Sequence, residues 1–185
     1  MVLPRGWAQV EVGWARRAGA DALRSGVMIG LPHCVASVGL ELGAGPVEAG
    51  LLCGVYDREP PRTSMGVGGF GRVDGMGRQG WSGARVALRQ QLGPTAWTWT
   101  VDVGPVAGAD LAPRLGALGR LDAVWHLGPL AMTGEITLTR GVPTDPPLRW
   151  GLGGVILFSR GLEIGAGGGA AGSARAAEVW LRVRR

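Results

Sequence analysis

The sequence predicts an all-β fold, a single domain over residues 1–185 in which about twelve antiparallel strands, or alternatively ten, close into an up-and-down barrel. Three observations support this prediction. Apolar and polar residues alternate with period two from end to end. Turn motifs rich in Gly and Pro separate the alternating segments. The chain also contains 35 glycines, and a glycine inside a helix costs about 1 kcal/mol relative to alanine.

Each alternating segment places its apolar side chains on one face, as the stretch TAWTWTVDVGP illustrates. Trp97, Trp99 and Val101 share one face of this strand, and Thr98 and Thr100 share the other. Comparable segments begin near Ala8, Leu23, Ala36, Val47, Met65, Ala84, Trp97, Leu121, Met132, Leu148, Leu162 and Ala177. Because a tilted strand of about 9–11 residues crosses a bilayer, these segments are long enough to span a membrane.

Two stretches also fit the period of a helix, residues 111–125 and residues 173–185. Glycines in the first and β-branched valines in the second argue against both helices. The connections alternate in length. The odd-numbered ones are expected to be long, among them RRAGAD, GMGRQG, GPVAGADLAPR and RGVPTDPP, and the even-numbered ones short, among them LPHC, LGPT, HLGP and SRG. DREPPRTS and GAGP depart from this rule, which a miscounted strand near Gly66 would explain.

Alternation alone does not decide whether the apolar face meets a protein core or lipid, but the composition of the other face does. Charged residues form 18% of the chain, below the roughly 25% of soluble domains. On the polar face both charge signs are mixed with many glycines, which suits a narrow interior where carboxylates neutralise arginines. The residues predicted to line this interior are Glu11, Arg24, Glu41, Glu48, Arg72, Arg85, Arg89, Asp102, Arg120, Asp122, His126, Glu135, Arg149 and Glu163.

Tryptophan is the dominant aromatic residue, with 8 copies against one Tyr and two Phe. Most tryptophans fall near the ends of segments, where an interfacial girdle places them. The girdle is predicted to contain Trp7, Trp14, Trp81, Trp97, Trp99, Trp125 and Trp150. A protein core filled with the same aromatics remains the alternative interpretation.

With these features the chain resembles the outer-membrane β-barrel class of double-membraned bacteria. The resemblance covers nearly the whole length, but it is a pattern of a class and carries no family motif. It implies an outer-membrane location, a lipid bilayer as partner, and both termini on the periplasmic side. Two features depart from the class. Residues 1–12 contain no apolar signal segment, so either the chain is not exported or it is a mature form carrying an added Met1. The chain also ends Val183-Arg184-Arg185 without a terminal aromatic.

Three functions are compatible with this sequence. The first is a small porin-like channel for small polar solutes. The second is a plugged barrel that anchors or docks a protein partner through its loops. The third, outside the class, is a soluble barrel that binds an apolar ligand.

Other classes of function are disfavoured. All 19 basic residues are arginines scattered along the chain, which argues against nucleic acid despite the net charge of +5. The basic end, Arg182 to Arg185, is interpreted as a solvated terminus. The glycine-rich runs at 66–72 and 165–169 lack the context of a nucleotide-binding loop, so we expect no cofactor. No Cys/His cluster has zinc spacing, so we expect no metal.

We also expect no enzyme. His126 lies near Asp122 and Arg120 on one strand face, which would suit proton transfer or part of a hydrolase site. A hydrogen-bonded interior histidine is the favoured interpretation, because no serine can be placed beside it. His33 falls in a turn, where we expect solvent contact.

Cys34 and Cys53 flank the GAGP hairpin. Pairing Gly43 with Pro46 would place Cys53 opposite Ala36, one same-face step from Cys34. A disulfide would then need a small shift of register, and two free, buried thiols remain the alternative.

Overall fold

The structure is a computed structural model of the chain. It describes residues 7–17, 20–42, 45–58, 62–74, 77–108, 111–142, 146–159 and 161–185. Every regular element in these ranges is a strand, and the strands are β1 (Ala8–Arg17), β2 (Ala20–Leu31), β3 (Cys34–Leu42), β4 (Val47–Arg58), β5 (Thr63–Val73), β6 (Gln79–Leu92), β7 (Thr95–Gly108), β8 (Leu111–Leu127), β9 (Leu130–Arg140), β10 (Leu148–Ser159), β11 (Leu162–Ala171) and β12 (Ala174–Arg184).

The twelve strands form a closed antiparallel barrel in which each strand pairs with its neighbours in sequence. Closure joins β1 to β12, with Gln9 opposite Arg184 and Arg17 opposite Ala176. The predicted all-β barrel and its count of twelve strands are therefore confirmed, and β5 is one continuous strand around Gly66. Closure leaves no sheet edge with unpaired backbone groups.

The two helical alternatives are wrong. Residues 111–127 form β8 and residues 174–184 form β12. In the parts of the chain that the structure describes, no helix is long and apolar enough to cross a membrane. Cross-strand hydrogen bonds and the period-two alternation in the same residues prevail over the weaker helical spacing.

We call the barrel end that carries both termini the terminal end and the opposite one the loop end. The turns at 32–33, 93–94 and 128–129 lie at the terminal end and have two residues each. Gly93 and Gly128 adopt positive φ there, and each precedes a proline. These short turns agree with the prediction.

The predicted long connections RRAGAD and GPVAGADLAPR are mostly strand. Only residues 18–19 and 109–110 separate the strands at these places, whereas β9 and β10 are separated by residues 141–147. The Gly104-Pro105 dipeptide lies inside β7 and not in a turn. Ser82 and Gly83 of β6 lie beside this dipeptide and are left out of the β6–β7 pairing, because the proline has no N–H to donate.

The apolar faces point outward. Val101, Ile136 and Leu152 retain 51%, 49% and 67% of their exposure in the isolated chain, whereas Asp102 on the opposite face of β7 retains 3%. This inverted arrangement is typical of a barrel surrounded by lipid. It does not fit the soluble alternative, which would place the apolar face inside.

Cys34 and Cys53 form a disulfide between β3 and β4. The expected register is off by one pair on the same face: Cys53 lies directly opposite Cys34, and Ala36 lies opposite Leu51. The wider hairpin connection, residues 43–46, accounts for the difference. The alternative of two free thiols is therefore wrong.

Candidate functional site in the barrel interior

The barrel encloses a cavity of about 330 Å³ to which every strand from β2 to β10 contributes. Its wall consists of ten charged residues, four threonine and serine residues, Gly50 and nine apolar residues, among them Phe70, Trp81 and Leu118. The charged residues lining it are five arginines and five carboxylates: Arg24, Arg72, Arg85, Arg120, Arg149, Glu41, Glu48, Asp102, Asp122 and Glu135. The charges of these ten residues cancel, so the cavity is neutral overall.

Arg85 is the centre of the most buried ion-pair cluster in this wall. Its Nε and Nη2 donate to the two carboxylate oxygens of Asp102 at 2.8 and 2.7 Å. Nη2 also donates to Glu48 at 2.8 Å. The guanidinium lies over the ring of Phe70, 5.4 Å from its centroid, within the range of a cation–π contact. Because β6 and β7 place Arg85 opposite Asp102 on the inner face, strand register builds this pair directly.

Two further arginines hold carboxylates around the same cavity. Arg120 donates to Asp122 at 2.8 Å and lies 3.0 Å from a carboxylate oxygen of Glu135. Arg24 donates to Glu178 at 3.0 Å and lies 3.6 Å from Glu41. The side chains of Arg24 and Arg120 remain 44% and 46% exposed, so these pairs face open space inside the barrel.

An apolar cluster occupies part of the interior towards the loop end. It consists of Phe70, Trp81, Val106 and Val142, with Leu118 packed against it. The rings of Phe70 and Trp81 meet edge to face at 4.6 Å between centroids, and the indole N–H donates to the Gly104 carbonyl at 3.2 Å. The cluster narrows the interior on the β5–β9 side.

A glycine makes room for this cluster. A Cβ at Gly116 would lie 2.6 Å from a methyl of Val106 and 3.0 Å from the Trp81 indole nitrogen. Any side chain at this position would therefore push against the cluster.

A second filled region lies where the barrel closes, across β11, β12 and β1, and we call it the seam. Arg182 of β12 donates to Glu11 of β1 at 2.8 Å and to Glu163 of β11 at 3.0 Å. Arg184 lies 2.9 Å from Glu163 and donates to Gln9 at 2.9 Å. One arginine thus joins three consecutive strands, and none of these residues lines the cavity.

Trp180 fills the rest of the seam. Its indole ring occupies the space that a Cβ would need at Gly165. A Cβ at Gly167 would lie 3.5 Å from the same ring. The indole nitrogen is buried and has no hydrogen-bond partner. Two glycines of the run at 165–169, Gly165 and Gly167, therefore form the surface on which this indole lies.

Of the fourteen residues expected to line the interior, ten line the cavity. Glu11 and Glu163 face inward in the seam instead. Arg89 lies near the terminal end of β6 and forms no ion pair with the described residues. His126 is exposed beside the β8–β9 turn.

The proton-transfer hypothesis for His126 gains no support from these contacts. Arg120 and Asp122 pair with each other, and among the described residues no hydrogen bond joins either to the His126 side chain. Nor do the described residues contain a group of three or more metal-ligating side chains that could hold an ion.

The six tryptophans Trp7, Trp14, Trp97, Trp99, Trp125 and Trp150 are exposed on the outer face or at its ends. Trp81 is not: it is 4% exposed and lies inside the barrel. The prediction that it joins the girdle is wrong, because Trp81 shares the inward face of β6 with Arg85. The alternation around residue 81 contained this signal, since residues 81, 83 and 85 have the same parity.

The interpretation of Arg182 and Arg184 as a solvated terminus is also wrong. Both alternate with outward-facing valine and leucine in β12, and both bind seam carboxylates. The regular alternation Val179, Leu181, Val183 could have revealed this orientation.

No protein-family model matches the chain, and no curated protein sequence matches it significantly. Solved structures do match. A KdgM porin in complex with disordered oligogalacturonate superposes with a TM-score of 0.75 at 9% identity, covering 95% of this chain and 98% of that one. A second KdgM porin structure gives 0.73 at 8% identity over 95% and 98%.

The outer-membrane protein Omp33 of Acinetobacter baumannii is a more distant match, with a TM-score of 0.51 at 10% identity, covering 96% of this chain and 97% of that one. At such low identity, similarity establishes the fold alone. This chain therefore has the fold of the bacterial outer-membrane β-barrels, the class that its alternating strands resemble.

Proposed function

We propose that the chain is a small porin-like channel of a bacterial outer membrane. One observation carries the proposal: an apolar outer surface surrounds an interior cavity whose wall includes ten charged and four hydroxyl side chains. A water-filled polar interior inside an apolar band is the arrangement by which membrane barrels conduct solutes. The lipid bilayer is then the solvent of the outer face.

The cavity charges indicate which solutes fit. Five arginines and five carboxylates line it. Arg85 and Arg120 are already bound to the carboxylates Asp102 and Asp122. Such a wall attracts neither sign of ion strongly, so we propose small neutral or zwitterionic polar solutes. The KdgM porin that superposes on this chain was solved with an acidic oligosaccharide. In this chain, the five carboxylates of the cavity wall offset the charge of the arginines that would otherwise bind an acidic oligosaccharide.

The proposal also covers the remaining expectations. The interior residues act by lining the path and bind no cofactor, and we propose that the protein is not an enzyme. Nucleic acid is not a partner in this account. The connections between strands are short, and at most seven residues separate two consecutive strands, between β9 and β10.

The experiment is single-channel recording of the refolded chain in planar bilayers, with a pair of matched variants. Gly39 faces inward, on the same face of β3 as the cavity residues Ser37 and Glu41. Gly71 faces outward, because its neighbours Phe70 and Arg72 on β5 both line the cavity. A Cβ at either position meets nothing within 4 Å. We expect discrete conductance steps, with a K⁺/Cl⁻ permeability ratio within about twofold of one. Gly39→Trp should lower the conductance by roughly half or more, because the indole enters the path, whereas Gly71→Trp should leave it unchanged.

A second candidate is a plugged barrel that anchors a protein partner. The apolar cluster around Trp81 and the filled seam favour it, since both reduce the open cross-section. Folded protein that inserts into bilayers, shown by heat-modifiable gel migration, and yet conducts no current would support this candidate and refute the channel. Equal conductance of the two tryptophan variants would likewise contradict the proposed path.

A further inference from the structure

Three exposed arginines lie on the outer face of the barrel at the loop end. Arg16 is the second-last residue of β1, Arg175 is the second residue of β12, and Arg140 ends β9. They share the outer faces of their strands with Trp14, Val179 and Leu138, which are exposed apolar residues. The interior arginines of the cavity and seam bind carboxylates of this chain, but Arg140 and Arg175 form no ion pair with the described residues.

Arg16 and Arg175 lie next to each other. Arg16 is opposite Ala177 in the β1–β12 pair, and Arg175 is the next residue on the same face of β12. Diagonal neighbours of this kind are about 7–8 Å apart, within reach of long side chains. Arg16 also approaches Asp21 at 3.7 Å, with both side chains 59% exposed. A pair so open to solvent binds weakly and leaves guanidinium donors free.

The outer surface beside this arginine pair is formed by glycine and alanine. On the same outer face, Ala177 lies opposite Gly168, and Arg175 lies opposite Ala170. Leu152, which is 67% exposed, lies opposite Gly168 on β10, and Trp14 lies opposite Val179. Small side chains between larger ones form a shallow trough that runs from the arginines towards the middle of the barrel.

We propose that Arg16 and Arg175 bind the phosphate of a membrane lipid in the leaflet at the loop end, with an acyl chain of that lipid in the adjacent trough. Guanidinium groups bind phosphate through paired, charge-assisted hydrogen bonds. Two arginines at the boundary of an apolar surface fit an anionic headgroup at the height where the hydrocarbon ends. The site depends on the barrel being embedded in a membrane and not on its conducting solutes.

The test is native mass spectrometry of the detergent-purified barrel with diphosphoryl lipid A as the probe and phosphatidylcholine as the zwitterionic comparison. We expect lipid A to remain bound to the wild-type chain in preference to phosphatidylcholine. Arg16→Gln and Arg175→Gln should each weaken binding about tenfold, the loss expected for one charge-assisted hydrogen-bonded contact.

Arg140→Gln is the matched control. This substitution removes one positive charge from the outer face at the same end of the barrel. Arg140 lies on β9, however, and β10 and β11 separate it from Arg175 on β12, so lipid A binding should persist. Equal losses in all three variants would reduce the effect to net charge and overturn the site. So would unchanged binding in Arg16→Gln and Arg175→Gln, equal retention of phosphatidylcholine, or displacement of the lipid by millimolar inorganic phosphate.

Heat-modifiable migration and channel conductance of each variant should match the wild type, which separates a lost lipid site from a lost fold. Loss of conductance in the wild type would refute the proposed function and leave the lipid site intact.

Discussion

The cavity and the seam use the same chemistry for different results. In both, arginines of one strand bind carboxylates of its neighbours. Around the cavity the side chains of Arg24 and Arg120 stay 44% and 46% exposed, whereas Arg85, which lies over the Phe70 ring, is 20% exposed. In the seam Arg182 is 26% exposed and Glu163 is 9% exposed, and Trp180 fills the remaining space.

The difference shows that packing, and not the ion pairs themselves, decides what an interior arginine does. Where Gly165 and Gly167 let an indole approach the wall, the arginines become buried connectors between strands. Where the opposite wall is distant, the same residue type faces open space. We therefore expect substitution of the packed arginines Arg85 and Arg182 to change stability, and substitution of the open cavity arginines Arg24 and Arg120 to change permeation.

The largest expected effect is that of Arg182→Met. It leaves Glu11 without its arginine and removes one of two arginines from Glu163. Arg182 is 26% exposed and Glu163 9%, so the free energy of unfolding should fall by about 3 kcal/mol, the lower end of the loss on breaking a buried ion pair. Urea unfolding in phospholipid vesicles, followed by tryptophan fluorescence, measures it. Arg24→Gln is the control from the cavity, where the greater exposure predicts a loss below about 1 kcal/mol. Equal losses in the two variants would contradict the distinction.

A smaller effect is expected for Gly165→Ala. The new methyl would occupy space that the Trp180 ring holds, and overpacking of this kind costs about 2 kcal/mol. Gly39→Ala is the matched control, because its Cβ meets nothing within 4 Å, and its stability should stay within about 0.5 kcal/mol of the wild type. The same unfolding assay compares them. If Gly39→Ala were the more damaging change, the assignment of a tightly packed seam would be wrong.

Much of this architecture could be predicted from the sequence. Period-two alternation identified the strands and their outer faces, and the shortage of charge combined with abundant glycine identified an inverted barrel. Ten residues of the cavity wall follow from parity alone once one face is assigned to lipid. Parity also contained the inward orientation of Trp81, but the preference of tryptophan for interfaces concealed it.

The contacts across the interior could not be predicted. Alternation gives the face of a residue but not the register of its strand, and an error of one same-face pair moved Cys53 from Ala36 to Cys34. The seam depends on closure between the first and last strands, which are far apart in sequence. Which glycine lies under Trp180 follows from that register and from no local signal.

The smallest expected effect, and the one that concerns function most directly, is that of Arg120→Gln. It changes a cavity wall of five arginines and five carboxylates to one with an excess negative charge, while Asp122 and Glu135 remain beside the path. We expect the K⁺/Cl⁻ permeability ratio to rise about threefold, which corresponds to roughly 0.7 kcal/mol. Reversal potentials in a KCl gradient measure this ratio.

Glu135→Gln should shift the ratio towards Cl⁻ by a similar factor, because it removes a carboxylate from the same cluster. Arg182→Met also removes one positive charge, but from the seam, so it should leave the reversal potential near the wild-type value. A shift in that variant as large as in Arg120→Gln would show that solutes respond to the net charge of the whole interior, and the separation between cavity and seam would then fail.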